Sequence, residues 1–187
     1  MKSPYFNPQT GNVEWRERCI DEDGENLLRI EAMPGIDWTG YNCFQQTSVS
    51  LGDISVVIIE TMKEACRLAQ MVRIRFMTDA LFLSGYSNIN RSNMISLFAG
   101  STSFSCFAHS LADIIDQQER TESFSEEMLP LFIRQFEDAN VIRKTRQAEK
   151  IQIPDILRAI LYSKSDVGRL MERYDIDDSK IIRCCKE

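Results

Sequence analysis

From Ser50 onward the apolar residues of this 187-residue chain recur every three or four positions. Ile54, Val57, Ile58, Thr61, Met62, Ala65 and Leu68 share one side, with Glu60, Lys63, Glu64 and Arg67 opposite, which predicts a helix of about five turns. Thr78 and Asp79 can cap a second helix over Ala80 to Tyr86. A third, Asn93 to Ala99, is ended by Gly100, and a fourth buries Phe104, Phe107, Ala108, Leu111, Ile114 and Ile115. Gln117 to Ser123 is polar throughout and reads as a linker. A long helix is then expected from Phe124-Ser125, burying Met128, Leu131, Phe132, Gln135, Phe136 and Ala139, with Pro130 in its first turns. After a basic connection at Arg143 to Arg146, three short helices fill Ile151 to Ile182. Pro154 is pre-set for the first turn of one, Ser165 caps the next, and Asp177 or Asp178 caps the last. None is long enough to persist alone, so each must bury its stripe against the rest of the chain.

The same order therefore occurs twice: long helix, connection, acid-started short helix, two further helices. Ala65 and Ala139 are 74 positions apart, and Asp79 and Asp155 are 76 apart. This predicts a mainly α fold of two pseudo-symmetric four-helix repeats, about residues 50–116 and 124–187. Residues 1–49 form a different unit without helical period, broken by Pro4, Pro8, Gly11 and Gly24. Val13 to Ile20 and Asn26 to Ala32, separated by an acidic turn in which Gly24 supplies a positive φ, predict a β-hairpin in this leader. Asp37 to Gln46 reads as a loop whose Trp38, Tyr41 and Phe44 are costly to leave in water and pin it to the helical body. These three and Trp15 are candidates for docking a protein partner.

Composition narrows the class. With 43% hydrophobic and 27% charged residues the chain is globular, and a net charge of −6 argues against a nucleic-acid backbone as its main partner. No apolar run reaches membrane-spanning length, and the N-terminus lacks the apolar core of a secretory signal. The expected location is the cytoplasm, or an organelle interior if a transit peptide has been removed. Six cysteines show no Cys-x-x-Cys spacing, so they read as reduced and structural, with Cys66 and Cys106 in apolar helical contexts, and no metal is expected. Cys106 and His109 fall on one helical face, which suggests a thiol-dependent hydrolase, but no third residue to orient the imidazole is evident. No phosphate-binding loop of the GxxxxGK[ST] type occurs, and no cofactor is expected.

Several stretches resemble the double-repeat N-terminal domain of Clp-type AAA+ chaperones. They are Phe124-Ser125; Lys63 to Leu68 with Ala65, and Ala139; Thr78 to Leu83; Pro154 to Leu157; and Val167 to Met171 leading to Tyr174-Asp175-Ile176-Asp177. The resemblance covers about residues 50–185. It implies a non-catalytic docking platform that receives adaptors and clients of an unfoldase, here an adaptor or accessory subunit of a Clp ATPase or protease core. Some members of that family bind phosphoarginine through an acid at the start of the second helix. Carried over, the resemblance implies Asp79 and Asp155 as binding acids, with Thr78 and Ser125 as nearby donors. A helical scaffold unrelated to Clp proteins is the alternative.

Overall fold

The computed structural model describes residues 39–185 throughout and, in the leader, the backbone of three strands. These are β1 (Lys2–Asn7), β2 (Asn12–Ile20) and β3 (Asn26–Met33), antiparallel in the order β1-β2-β3. β2 and β3 are the two arms of the expected hairpin, in register from Val13↔Met33 to Ile20↔Asn26. β1 adds a third strand, in a segment where Pro4 gives no strand signal; proline is tolerated at a sheet edge, where one face of the backbone needs no partner. The turn containing Gly24 lies outside the described residues.

Nine helices follow among the described residues: α1 (Tyr41–Gln45), α2 (Val56–Val72), α3 (Asp79–Ile89), α4 (Arg91–Ser96), α5 (Ser101–Asp116), α6 (Pro130–Thr145), α7 (Ile153–Tyr162), α8 (Asp166–Arg173) and α9 (Asp178–Cys184). None is long and apolar enough to cross a membrane. Most starts are set by a short polar residue or a proline, while α1 and α5 follow Gly40 and Gly100. The side chains of Ser55, Thr78, Ser165 and Asp177 accept from the N–H groups of Ile58, Leu81, Gly168 and Lys180, satisfying donors the helices leave open.

Several expectations need correction. The segment ending at Gln46 is not all loop, because Gly40 at φ 85° turns the chain into α1, which buries Cys43 and Phe44. The long helix of the second half starts at Pro130, not at Phe124-Ser125, since proline lacks the N–H that a first helical position would leave unpaired anyway. The basic run at Arg143 belongs to the last turn of α6, where positive charge complements the helix dipole.

The duplication is written in the backbone hydrogen bonds. Ser55 N–H donates to the Ile151 carbonyl at 3.0 Å and Ile151 N–H to the Asp53 carbonyl at 2.7 Å. Leu129 N–H donates to the Met77 carbonyl at 2.9 Å and Met77 N–H to the Glu127 carbonyl at 2.7 Å. Residues 127, 129 and 151 stand 74 positions after 53, 55 and 77, so the two parallel bridges, Ile54↔Ile151 and Met77↔Met128, are one contact generated twice by a pseudo-twofold. Arg73 and Gln147, also 74 apart, both take left-handed backbone, φ 58° and 57°, just past the ends of α2 and α6. The linker between the repeats has no apolar anchor, and backbone pairing fixes it: Arg75 N–H donates to the Glu119 carbonyl at 2.9 Å, and Thr121 N–H to that of Arg73 at 2.7 Å.

Aromatic rings join the two halves. Phe82 of α3 meets Phe132 and Phe136 of α6 with centroids 5.5 and 6.2 Å apart, and Phe44 of α1 meets Phe136 at 5.7 Å. Phe98, Phe104 and Phe107 form a second cluster with Tyr174 of the other repeat. Burial of this apolar surface is what holds such short helices in place.

Candidate functional site

Asp79 is the first residue of α3, and its carboxylate faces the other repeat. Its Oδ1 accepts from Ala80 N–H at 2.9 Å, while Oδ2 accepts from Gln135 Nε2 at 2.9 Å and Ser165 Oγ at 2.7 Å. Gln135 lies on the buried face of α6 and Ser165 caps α8, so both partners come from the second repeat. No cation pairs with Asp79 among the described residues. Burial raises its pKa above the usual carboxylate range, against the lowering effect of its three hydrogen bonds, and the neighbouring Asp166 adds to the rise. Gln135 also donates to Ser163 Oγ at 2.8 Å, and its own Oε1 is buried without a donor.

This carboxylate lines an open cleft of about 390 Å³ between the repeats. Ile74, Phe76, Ile114, Leu129, Leu131 and Val167 make its walls apolar, and Asp79, Asp166 and Glu119 make it acidic, with no Lys, Arg or His among its lining residues. Glu119 is bonded to Arg75. The chemistry on offer is a carboxylate in low dielectric beside apolar surface, which suits the head and stem of a lysine or arginine side chain.

Asp155 does not repeat this arrangement. It is fully buried and takes a bidentate pair from Arg146, Nε to Oδ1 at 2.8 Å and Nη2 to Oδ2 at 2.7 Å. Oδ2 also accepts from Gln152 N–H at 2.9 Å, closing the first turn of α7. The N-caps Thr78 and Gln152 are 74 apart, so the counterpart of Asp79 is Ile153, and Asp155 stands two places further along its helix. The 76-residue spacing of the two acids in sequence thus pairs residues that are not equivalent. In repeat two the chain's own guanidinium already occupies the acid.

The remaining candidates divide. Thr78 is buried, accepts from Leu81 N–H at 3.4 Å and from Gln118 Nε2 at 3.0 Å, and lines the cleft. Ser125 is exposed and makes no hydrogen bond among the described residues. The N–H groups of Ala80, Leu81 and Phe82 are taken by Asp79, Thr78 Oγ1 and the Thr78 carbonyl, so the start of α3 is already largely satisfied for its own use. Of the docking aromatics, Phe44 is 3% exposed and belongs to the core, while Tyr41 is half-buried. The Trp15 side chain and Trp38 lie outside the described residues.

Cys106 is exposed on α5 rather than packed, and His109 Nδ1 donates to the Ser105 carbonyl at 2.8 Å. No hydrogen bond joins Cys106 to His109 among the described residues. At the chain's end Cys185 is buried and Cys184 half-buried. No cluster of three or more metal-ligating side chains occurs among the described residues. Pattern alone does not mark Gln135 and Ser165 as site residues. The available signal was a glutamine inside an otherwise apolar helical stripe, which has to find a buried partner.

No family model and no curated protein matches the chain. Among solved structures it is similar to the N-terminal domain (1-163) of the ClpV1 ATPase from the E. coli EAEC Sci1 T6SS, with TM-score 0.57 and 15% identity, over 76% of this chain and 90% of that one. The chain has a Clp-type N-domain-like fold. The matched part extends beyond either single repeat, so the likeness concerns their joint arrangement and not one helical hairpin.

Proposed function

We propose that this chain is a non-catalytic protein-binding module of the Clp N-domain type, an adaptor or accessory subunit that recruits or regulates clients of a Clp unfoldase or protease. The observation that carries the reading is the inter-repeat cleft ending at Asp79, a buried carboxylate with no cation of its own. A partner's arginine or lysine would supply the missing charge, while the stem of that residue lies on Phe76, Leu131 and Val167. A bare basic group fits better than a phosphorylated one, because three N–H groups that would otherwise hold a phosphate are engaged within α3. Asp155, sealed by Arg146, is not among the residues lining this cleft and has no part in the reading.

The test is affinity purification of the full chain from its native lysate, with Clp ring and protease subunits quantified by mass spectrometry, beside Asp79→Asn. Recovery of a Clp subunit by the native chain, reduced at least several-fold for Asp79→Asn, supports the reading. Absence of every Clp subunit at low salt, or equal recovery by both proteins, removes it.

A further inference from the structure

Cys43 and Cys66 are both fully buried, and their sulfurs lie 4.0 Å apart. They are 23 residues apart in sequence, one on α1 and the other in the middle of α2. Their proximity is prepared by Gly40. A Cβ at Gly40 would fall 2.9 Å from Met62 Cγ and 3.4 Å from Cys66 Sγ, so only a glycine, at φ 85°, brings the chain entering α1 this close to α2. Cys43 Sγ donates to the Glu126 carbonyl at 3.2 Å, on the segment leading into α6. That carbonyl also accepts from Gln46 Nε2 at 2.8 Å, so it keeps a donor if Cys43 loses its proton.

We propose that Cys43 and Cys66 are a redox-sensitive pair, closed to a disulfide by a hydroperoxide, which fastens α1 to α2. To bond, two sulfurs already in contact close from 4.0 Å to about 2.05 Å. Cys43 reacts first. It sits on a helix of five residues, too short to persist by itself, which opens locally when the contacts of Phe44 with Phe136 and of Gln46 with Glu126 and Met128 release. The Cys43 thiolate attacks one peroxide oxygen, the O–O bond breaks, and a sulfenic acid and one water form. When α1 closes, Cys66 sulfur attacks the sulfenic sulfur, the S–OH bond breaks, and a second water leaves. Two thiols have lost two electrons and two protons, and one hydrogen peroxide has become two waters. The consequence is a clamp on the segment that joins the leader to the helical body.

The experiment treats the full chain with hydrogen peroxide, blocks residual thiols, and maps unreduced peptides by mass spectrometry. The expected product is a cross-link between the Cys43 and Cys66 peptides that dithiothreitol reverses. Closing a loop of this length raises Tm by about 6–12 °C. It also slows chymotryptic cleavage after Tyr41 and Phe44 several-fold, and Cys43→Ala or Cys66→Ala abolishes both responses. Should either variant fail to fold, the peptide map of the native chain decides alone. Oxidation confined to the exposed Cys106 or to Cys184, with Cys43 and Cys66 still blocked as free thiols after unfolding, overturns the proposal.

Discussion

Gly85 offers a sharp test of how the first repeat is packed. It lies inside α3, where alanine in its place favours an isolated helix by about 1 kcal/mol. Its added Cβ, however, would stand 2.8 Å from the Thr61 carbonyl oxygen and 2.9 Å from the Ala65 amide nitrogen, both backbone atoms of α2. Ordinary contact begins near 3.4 Å, so the helices have to part by about half an ångström. On its other side α3 rests through Phe82 on Phe132 and Phe136, which leaves it nowhere to go. Overpacking against backbone lies at the upper end of its usual range, about 3 kcal/mol, so Gly85→Ala is destabilising by about 2 kcal/mol net. For a chain of this size that lowers Tm by about 4–8 °C in a thermal scan by circular dichroism. Position 159, the counterpart 74 residues on, is already alanine and buried. Ala159→Gly is therefore also destabilising, by about 1–2 kcal/mol, through lost helix propensity and one lost buried methyl. If Gly85→Ala instead raised Tm, as at an exposed helical glycine, the close approach of α2 and α3 would be wrong.

Other predictions follow from the site and its surroundings. Asp79 is an acid whose pKa is raised in the fold, so its contribution to stability falls as pH rises from its unfolded value through the raised one. Asp79→Asn removes that fall in urea titrations made at successive pH values, and at neutral pH stays within about 1 kcal/mol of the native chain, because its new amide can serve the unpartnered Gln135 Oε1 after a flip of that side chain. Asp155→Ala leaves the partly exposed Arg146 without its bidentate partner and opens the first turn of α7, costing about 2–3 kcal/mol by chemical denaturation. Phe44→Ala costs about 3 kcal/mol and accelerates proteolysis at α1, as expected of a core ring and not of an exposed docking residue.

Much of this architecture was legible because each helix is short and carries its own punctuation. Thr78, Ser165 and Asp177 cap where their spacing to the apolar stripes says they must, and the Ala65 to Ala139 interval is the true repeat length. The start of α6 is not legible in sequence, because Phe124 and Met128 are apolar at helical spacing, yet the backbone around Met128 is spent pairing with Met77. That pairing depends on the other repeat and leaves no local trace. The same holds for the two acids. In sequence Asp79 and Asp155 look alike, and only the fold shows one set against Gln135 and Ser165 while Arg146 closes over the other. The apolar neighbourhood of Cys106 in sequence suggests a packed thiol, but its place on α5 is exposed.

The most direct test of the central claim follows backbone amide signals of the full chain by NMR while a capped arginine peptide is titrated in. The expected shifts concentrate at Thr78, Asp79, Ala80, Ser165 and Asp166, grow stronger as pH rises and Asp79 ionises, and are absent in Asp79→Asn. Shifts that gather elsewhere, or that persist unchanged in Asp79→Asn, would contradict it.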